Sequence, residues 1–334
     1  MCSNAGVNDW HGRPETDGVA HGGTEGPLFT VFTPTFNRAH TLHRVFESLR
    51  SQTLQDFEWV VVDDGSTDRT GDLIAEWSQH SAFPIRYCYQ TNSGKHVAYN
   101  RAVSEAHGRF FTVLDSDDAC VPEALERLAW HWETIPEHER AAFSGVGALC
   151  RDQYGTIIGD RFPRDPFDAN VREMTYLFGV RGEKWGIQRT EVLRRFPFPE
   201  IAGCKFIPES VVWNSISHRL RWINEPLRIY FTADGETGKT LSQRSNFRDN
   251  APGRLYHCTW LLNNDLEFFA RAPIPFLKAA VLLPIVAAAS GSTFSEAWLA
   301  LDGWKARLLV LLATPFSLFL AFFDRIKNPR EVTK

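Results

Sequence analysis

Apolar and polar positions alternate in two rhythms along the first 120 residues. Leu28–Thr33 (LFTVFT) is a β-rich run too short for a helix, and it ends at Pro34. From Ala39 to Gln52, Leu42, Val45, Phe46 and Leu49 recur at helical spacing. Phe57–Val62 (FEWVVV) is a second strand, and Leu73, Ile74 and Trp77 mark the apolar face of the next helix. Ile85–Tyr89, Val97–Ala106 and Arg109–Leu114 continue the order as strand, helix and strand. Strands separated by helices at intervals of about 25 residues predict a mostly parallel sheet with helical crossovers, an α/β fold. Ligands of such sheets bind beyond the carboxyl ends of the strands. Acidic clusters at 63–64 and 115–118 fall at strand ends and are expected to face one crevice.

The second half is less regular. Strands are predicted over 141–150, 157–160 and 185–188, with short helices over 191–195 and 208–218 and an extended stretch over 222–231. Leu255, Cys258, Leu262, Leu266 and Phe269 predict one long amphipathic helix over about 249–271. Two apolar runs follow. Ala279–Ala289 is interrupted by Pro284, and Leu308–Phe323 is uncharged, with Lys305 and Arg307 before it and Arg325 and Lys327 after it. A spanning helix needs roughly 17–25 apolar residues, so the first run is short and the second borderline.

Composition narrows the class. The 334 residues are 43% hydrophobic and 23% charged, which suits a globular protein with a full core and excludes a disordered or collagen-like chain. A mean hydropathy of −0.26 excludes a polytopic membrane protein. The net charge of −4 provides no general field for a polyanion, so nucleic acid is not an expected partner. The total conceals a split, because residues 273–334 carry seven basic and four acidic side chains. Six widely spaced cysteines form neither a C-x-x-C pair nor a zinc-type cluster, which points to a reducing compartment. Residues 1–27 lack the basic start and apolar core of a secretory signal and read as a mobile arm.

Three constellations can carry chemistry. Asp115-Ser116-Asp117-Asp118 follows an apolar strand, and carboxylates so close repel one another unless a cation neutralises them. A divalent ion held there can also take diphosphate oxygens. The plainer reading is a solvated turn capping the helix that begins near Pro122. Asp63-Asp64-Gly65-Ser66-Thr67-Asp68 is either a turn with a helix cap or the place where an Asp accepts a nucleobase N–H. Asn92-Ser93-Gly94-Lys95-His96 puts a Lys at a helix start, either solvated or facing phosphate. No G-x-G-x-x-G and no P-loop motif is present.

Together, TPTFNR at 33–38, SQTLQDFEWVVVDDGSTDRT at 51–70, NSGKHVAYNRAVSEAHGRFFTVLDSDD at 92–118 and PESVVW at 208–213 resemble the family 2 inverting glycosyltransferases of the GT-A fold, of the bacterial surface-polysaccharide type. The resemblance is close over residues 28–130 and looser to about 235. It implies a nucleotide-sugar transferase fold in which a central sheet is flanked by helices. A catalytic domain at 28–235 would be followed by a helical extension at 236–334. It further implies that Thr33, Pro34, Phe36, Arg38 and Asp64 line the nucleotide site, with Asp63 supporting the turn. Lys95 and Asn100 match the stretch lying over the nucleotide. Asp115, Asp117 and Asp118 match the D-x-D element, with Asp117 and Asp118 as the ligands of Mg²⁺ or Mn²⁺. Glu209 matches the catalytic base, although this chain has Pro-Glu-Ser where many relatives have Glu-Asp.

The activity so implied is metal-dependent transfer of one sugar from a nucleoside-diphosphate sugar, by family expectation a UDP-sugar, to a glycan or polyprenyl-diphosphate-linked glycan. The Q-x-x-R-W element of processive synthases is missing, which favours single transfer over polymerisation. The implied location is the cytoplasmic face of the cell membrane, peripheral or monotopic, with the apolar tail in the interface or packed on the catalytic domain. Two rivals stand beside this reading. One is a sugar-nucleotide nucleotidyltransferase, whose Gly-rich N-terminal loop this chain lacks. The other is an inactive membrane-associated sugar-nucleotide binding module.

Overall fold

The computed structural model describes residues 26–232 and 250–327. The first half runs β1 (Phe29–Thr35), α1 (His43–Arg50), β2 (Phe57–Asp63), α2 (Thr70–His80), β3 (Ile85–Tyr89), α3 (Lys95–Glu105) and β4 (Phe110–Val113). Next come β5 (Ala119–Cys120), α4 (Ala124–Glu133), β6 (Phe143–Asp152), β7 (Phe167–Ala169), β8 (Lys184–Arg189), α5 (Thr190–Leu193), α6 (Ser210–Ser215) and β9 (Arg219–Tyr230). Four helices close the described chain: α7 (Ala251–Asn264), α8 (Pro273–Ala289), α9 (Phe294–Leu299) and α10 (Trp304–Lys327).

The strands form one sheet in the order β3-β2-β1-β4-β8-β6-β9-β5, with β7 also on β9. β1, β2, β3 and β4 are parallel, as strands joined by helical crossovers must be. Beyond β4 the sheet is mixed, because β8 is antiparallel to both β4 and β6. Strand alternation sends Phe29, Val31, Trp59 and Val61 to one face, under α1 and α4. Phe32, Val60, Val62 and Phe111 go to the other face, under α3 and α6. Both faces are covered, which explains why the strand sequences are nearly continuous in apolar residues.

Four sequence expectations change. Residues 157–160 are not a strand but make a single bridge, Arg151 to Ile157, because Gly155 and Gly159, with φ of +93° and +80°, turn the chain on either side. The helix predicted over 208–218 is only Ser210–Ser215, and β9 begins at Arg219 rather than 222. The helix predicted to reach 271 stops at Asn264, where Asp265 turns its buried carboxylate to Tyr176 and Asn214. Pro284 lies inside α8 and does not end it. The proposed division near 235 falls at 233–249, and most of the 1–27 arm at 1–25, both outside the described residues.

The C-terminal helices form their own apolar layer. Phe276, Leu283 and Val286 of α8 pack with Leu261 and Leu262 of α7 and with Val310 of α10. On its other face α10 leaves Leu308, Leu311, Leu312, Phe316 and Phe319 exposed. Among the described residues no helix is long and apolar enough to cross a membrane.

Candidate active site

The carboxyl ends of β1, β2 and β3 finish level, since Thr35 pairs with Asp63 and Asp63 with Tyr89. The loops after these strands, and after β4, therefore meet along one edge of the sheet. Asn37 locks the first two loops together. It has a left-handed backbone (φ 53°), its Oδ1 accepts from the Thr67 amide at 2.8 Å, and its own amide donates to Ser66 Oγ at 2.8 Å. An Asn tolerates that backbone better than most residues. Asn37 was not anticipated as a site residue; its signal in the sequence is an Asn in a turn after a Pro-terminated strand.

Asp63 is fully buried and shapes the turn behind it. Its Oδ1 accepts from the Ser66 amide at 2.7 Å and its Oδ2 from the Tyr87 hydroxyl at 2.6 Å. Asp64 directs both oxygens at the third loop: Oδ1 accepts from the Ser93 amide at 2.7 Å and from Gln90 at 2.8 Å, and Oδ2 from the Gly94 amide at 2.8 Å. Gly94 has φ +99°, and a Cβ there would lie 2.2 Å from the Lys205 carbonyl oxygen, so only glycine fits. The result is that α3 starts at the crevice with Lys95 as its first residue.

Lys95 joins two parts of the site. Its Nζ lies 2.8 Å from Asp115 Oδ1 and 2.9 Å from Glu209 Oε1. Desolvation alone would lower its pKa, but the two carboxylates outweigh that and keep the ammonium charged far above its ordinary range. Burial likewise acts to raise Asp115, yet Lys95 and Arg228 hold its carboxyl well below the usual carboxylate range. Glu209 stands immediately before α6, half exposed. Ser210, the next residue, has its Oγ 3.0 Å from His257 Nε2 on α7, so the C-terminal helices reach the back of this position.

The three aspartates after β4 have different surroundings. Asp118 is 1% exposed and ion-paired with Arg228 of β9, and its Oδ1 accepts from the Phe231 amide at 3.0 Å. Burial pushes its pKa up and Arg228 opposes the shift. Arg228 also reaches Asp115 Oδ2 at 2.7 Å. Asp117 is the most open of the three, with Arg38 Nη2 at 3.5 Å from its carboxylate. Its backbone carbonyl accepts from Arg44 at 3.1 Å, while Thr41 Oγ1 donates to the Ser116 carbonyl at 2.9 Å, so α1 holds the acidic turn.

Phe36, Arg38, Lys95, Asp115, Asp117 and Glu209 therefore share one crevice. Phe36 presents a ring that is 46% exposed, and Pro34 lies in the strand end beside it. Thr33 does not reach the crevice, because it is fully buried and its Oγ1 accepts from Trp59 Nε1 at 2.9 Å. Asn100 is turned to the 198–200 segment, where it bonds both the Phe198 amide and carbonyl and the Glu200 carboxylate. Arg228 is the residue that sequence reasoning missed entirely; it lies 110 positions from Asp118 in an ordinary strand and carries no local signal.

Among the described residues no group of three or more His, Cys, Asp or Glu is arranged to hold a metal ion. A cation brought with a diphosphate needs only one or two protein carboxylates and takes its other oxygens from phosphate and water. Asp117 fits that role. Asp118 fits it less well, since its oxygens are committed to Arg228 and the Phe231 amide.

Comparison with known proteins gives the family and the fold. The model of the family described as glycosyl transferase family 2 matches residues 30–195. The chain is 32% identical over 150 residues to TuaG of Bacillus subtilis, provisionally named a teichuronic acid biosynthesis glycosyltransferase. That alignment covers 45% of this chain and 56% of TuaG. It is 35% identical over 229 residues to the glycosyltransferase GlyA of Streptococcus pneumoniae, covering 64% of this chain and 32% of GlyA. The chain thus spans between about a third and a little over half of these curated relatives. Among solved structures, residues 1–349 of S. aureus TarS in complex with UDP-GlcNAc superpose with a TM-score of 0.56 at 20% identity, covering 86% of this chain and 80% of that one. The fold is that of the GT-A transferases.

Proposed function

The chain belongs to glycosyl transferase family 2 through residues 30–195, and we propose that it transfers one sugar, with inversion, from a nucleoside-diphosphate sugar to an acceptor hydroxyl. The observation that carries this reading is Lys95, whose ammonium links Asp115 on the donor side with Glu209 on the acceptor side. A transferase needs those two functions side by side, and a nucleotidyltransferase has no use for a base at Glu209.

The chemistry follows from the side chains. Glu209, half exposed at the start of α6, takes the proton of the attacking hydroxyl as general base. Attack in line with the departing diphosphate turns an α donor into a β product without a covalent enzyme intermediate. Lys95 and Arg38 offset negative charge that grows on the leaving diphosphate. Asp117 would hold Mg²⁺ or Mn²⁺, which would supply further charge neutralisation at the diphosphate. Phe36 offers an exposed ring to the nucleotide base, and Asp64 holds the loop over which the nucleotide lies. Thr33 and Asn100 support the site from behind rather than touching the donor.

UDP is the proposed carrier, and a glycan or polyprenyl-diphosphate-linked glycan of a bacterial surface polysaccharide is the proposed acceptor. The cytoplasmic face of the membrane is the proposed location. The exposed apolar row on α10, bounded in the sequence by Lys305 and Arg307 and by Arg325 and Lys327, supports it. The test of the reaction is Glu209→Gln assayed for metal-dependent sugar transfer and for UDP binding. Binding is expected to persist while transfer is lost; wild-type transfer in the variant excludes Glu209 as the base.

A further inference from the structure

At the opposite end of the sheet, where β1 and β4 begin and β8 ends, the described residues frame an open cavity of about 490 Å³. Phe110 pairs with Arg189 across β4 and β8, so this cavity lies at the amino ends of the parallel strands, away from the crevice that holds Lys95 and Glu209. Four arginines line it: Arg109, Arg140, Arg189 and Arg194. The one carboxylate in the lining is Glu191, and it is paired with Arg189 Nη1 at 2.9 Å. Arg140 meets Glu133 at 2.6 Å, whereas Arg109 stands 4.0 Å from the same residue. Arg194 donates to the carbonyls of Ala106 and Val103 at 2.6 and 3.3 Å rather than to a carboxylate. Positive charge therefore exceeds negative charge in the lining.

Burial and the neighbouring Arg195 and Arg109 oppose the charge of Arg189 and lower its pKa, while Glu191 supports it. Cations without full compensation around one space call for a ligand that is anionic and rich in acceptors.

We propose that this cavity is a second ligand site, one that binds a small phosphate-type oxyanion independently of the sugar-nucleotide crevice. Its volume lies within the range of small-molecule sites, so a phosphate bearing a compact organic group also fits. The guanidinium groups of Arg189 and Arg109 supply both the charge and the N–H donors.

The test is isothermal titration of the full chain with inorganic pyrophosphate, without divalent cation and with UDP saturating the crevice. Binding is expected to persist under UDP and to weaken as salt rises. Arg189→Gln is expected to reduce pyrophosphate affinity about tenfold or more while leaving UDP affinity unchanged. Arg109→Gln removes a more exposed cation and carries the test if the Arg189 variant does not fold. Absence of pyrophosphate binding with UDP present overturns the proposal. So does binding that neither variant weakens.

Discussion

Asn214 Nδ2 donates to Asp265 Oδ2 at 2.8 Å, joining the short helix that follows Glu209 to the end of α7 in the C-terminal layer. Tyr176 adds its hydroxyl to the same oxygen at 2.8 Å, and Arg172 Nε lies 2.9 Å from the other oxygen while donating to the Asn214 carbonyl at 2.7 Å. Asp265 is fully buried, so this network is strong only while each member keeps its partners. Asn214→Ala is expected to cost about 1–3 kcal/mol by urea denaturation. It is also expected to lower sugar transfer more than UDP binding, because α6 is the platform for Glu209. Equal losses of both would show that the network stabilises the fold without placing the base.

Arg228 bridges two carboxylates. It is 5% exposed and ion-paired with both Asp115 and Asp118. Arg228→Met leaves the buried Asp118 without its cation, while Asp115 keeps Lys95, a loss of about 3–5 kcal/mol. Denaturation at neutral pH checks this, and Asp118→Asn in the same background is expected to restore part of the stability.

Glu225 gives the fold an acid-sensitive contact away from the crevice. Arg127 donates to it at 2.6 Å, His131 Nε2 lies at 2.7 Å, and these contacts, with that of Arg127 the largest, hold its pKa down to about 2 against an ordinary 4.5. A carboxylate whose pKa is lowered by folding contributes stability that is full above about 4.5 and disappears as the pH falls through about 2. The wild type is therefore expected to lose stability across that window more steeply than Glu225→Gln. Thermal melts at pH 5 and pH 3 compare the two, and identical slopes would refute the contribution.

Leu312 and Phe316 lie one turn apart on the open face of α10 and are 69% and 55% exposed. A double substitution of both by Glu leaves the buried face of α10 untouched. If this row rests in a membrane interface, the variant is expected to lose sedimentation with vesicles containing anionic lipid while keeping its melting temperature. Retained sedimentation would move the membrane contact elsewhere.

Much of the sheet was legible beforehand because its signal is local. Buried parallel strands are nearly continuous in apolar residues, as FTVFT and WVVV are, and the helices between them must show one apolar face. Legibility failed where a distant residue decides a local outcome. Asp265 ends α7 because Tyr176 and Asn214 receive its carboxylate, and neither is near in sequence. Residues 157–160 have strand-like side chains but are bent by glycines whose left-handed backbone only the folded chain displays.

By itself the sequence determined the order of strands and helices and the set of chemical groups at the strand ends, since periodicity and turn chemistry act over a few residues. Tertiary structure alone decided how those groups are shared out. It committed Asp118 to Arg228, left Asp117 open, turned Thr33 and Asn100 away, and set Lys95 between Asp115 and Glu209. The physical reason is that a carboxylate's role depends on the nearest opposite charge and on access to water. Both are properties of space rather than of position along the chain.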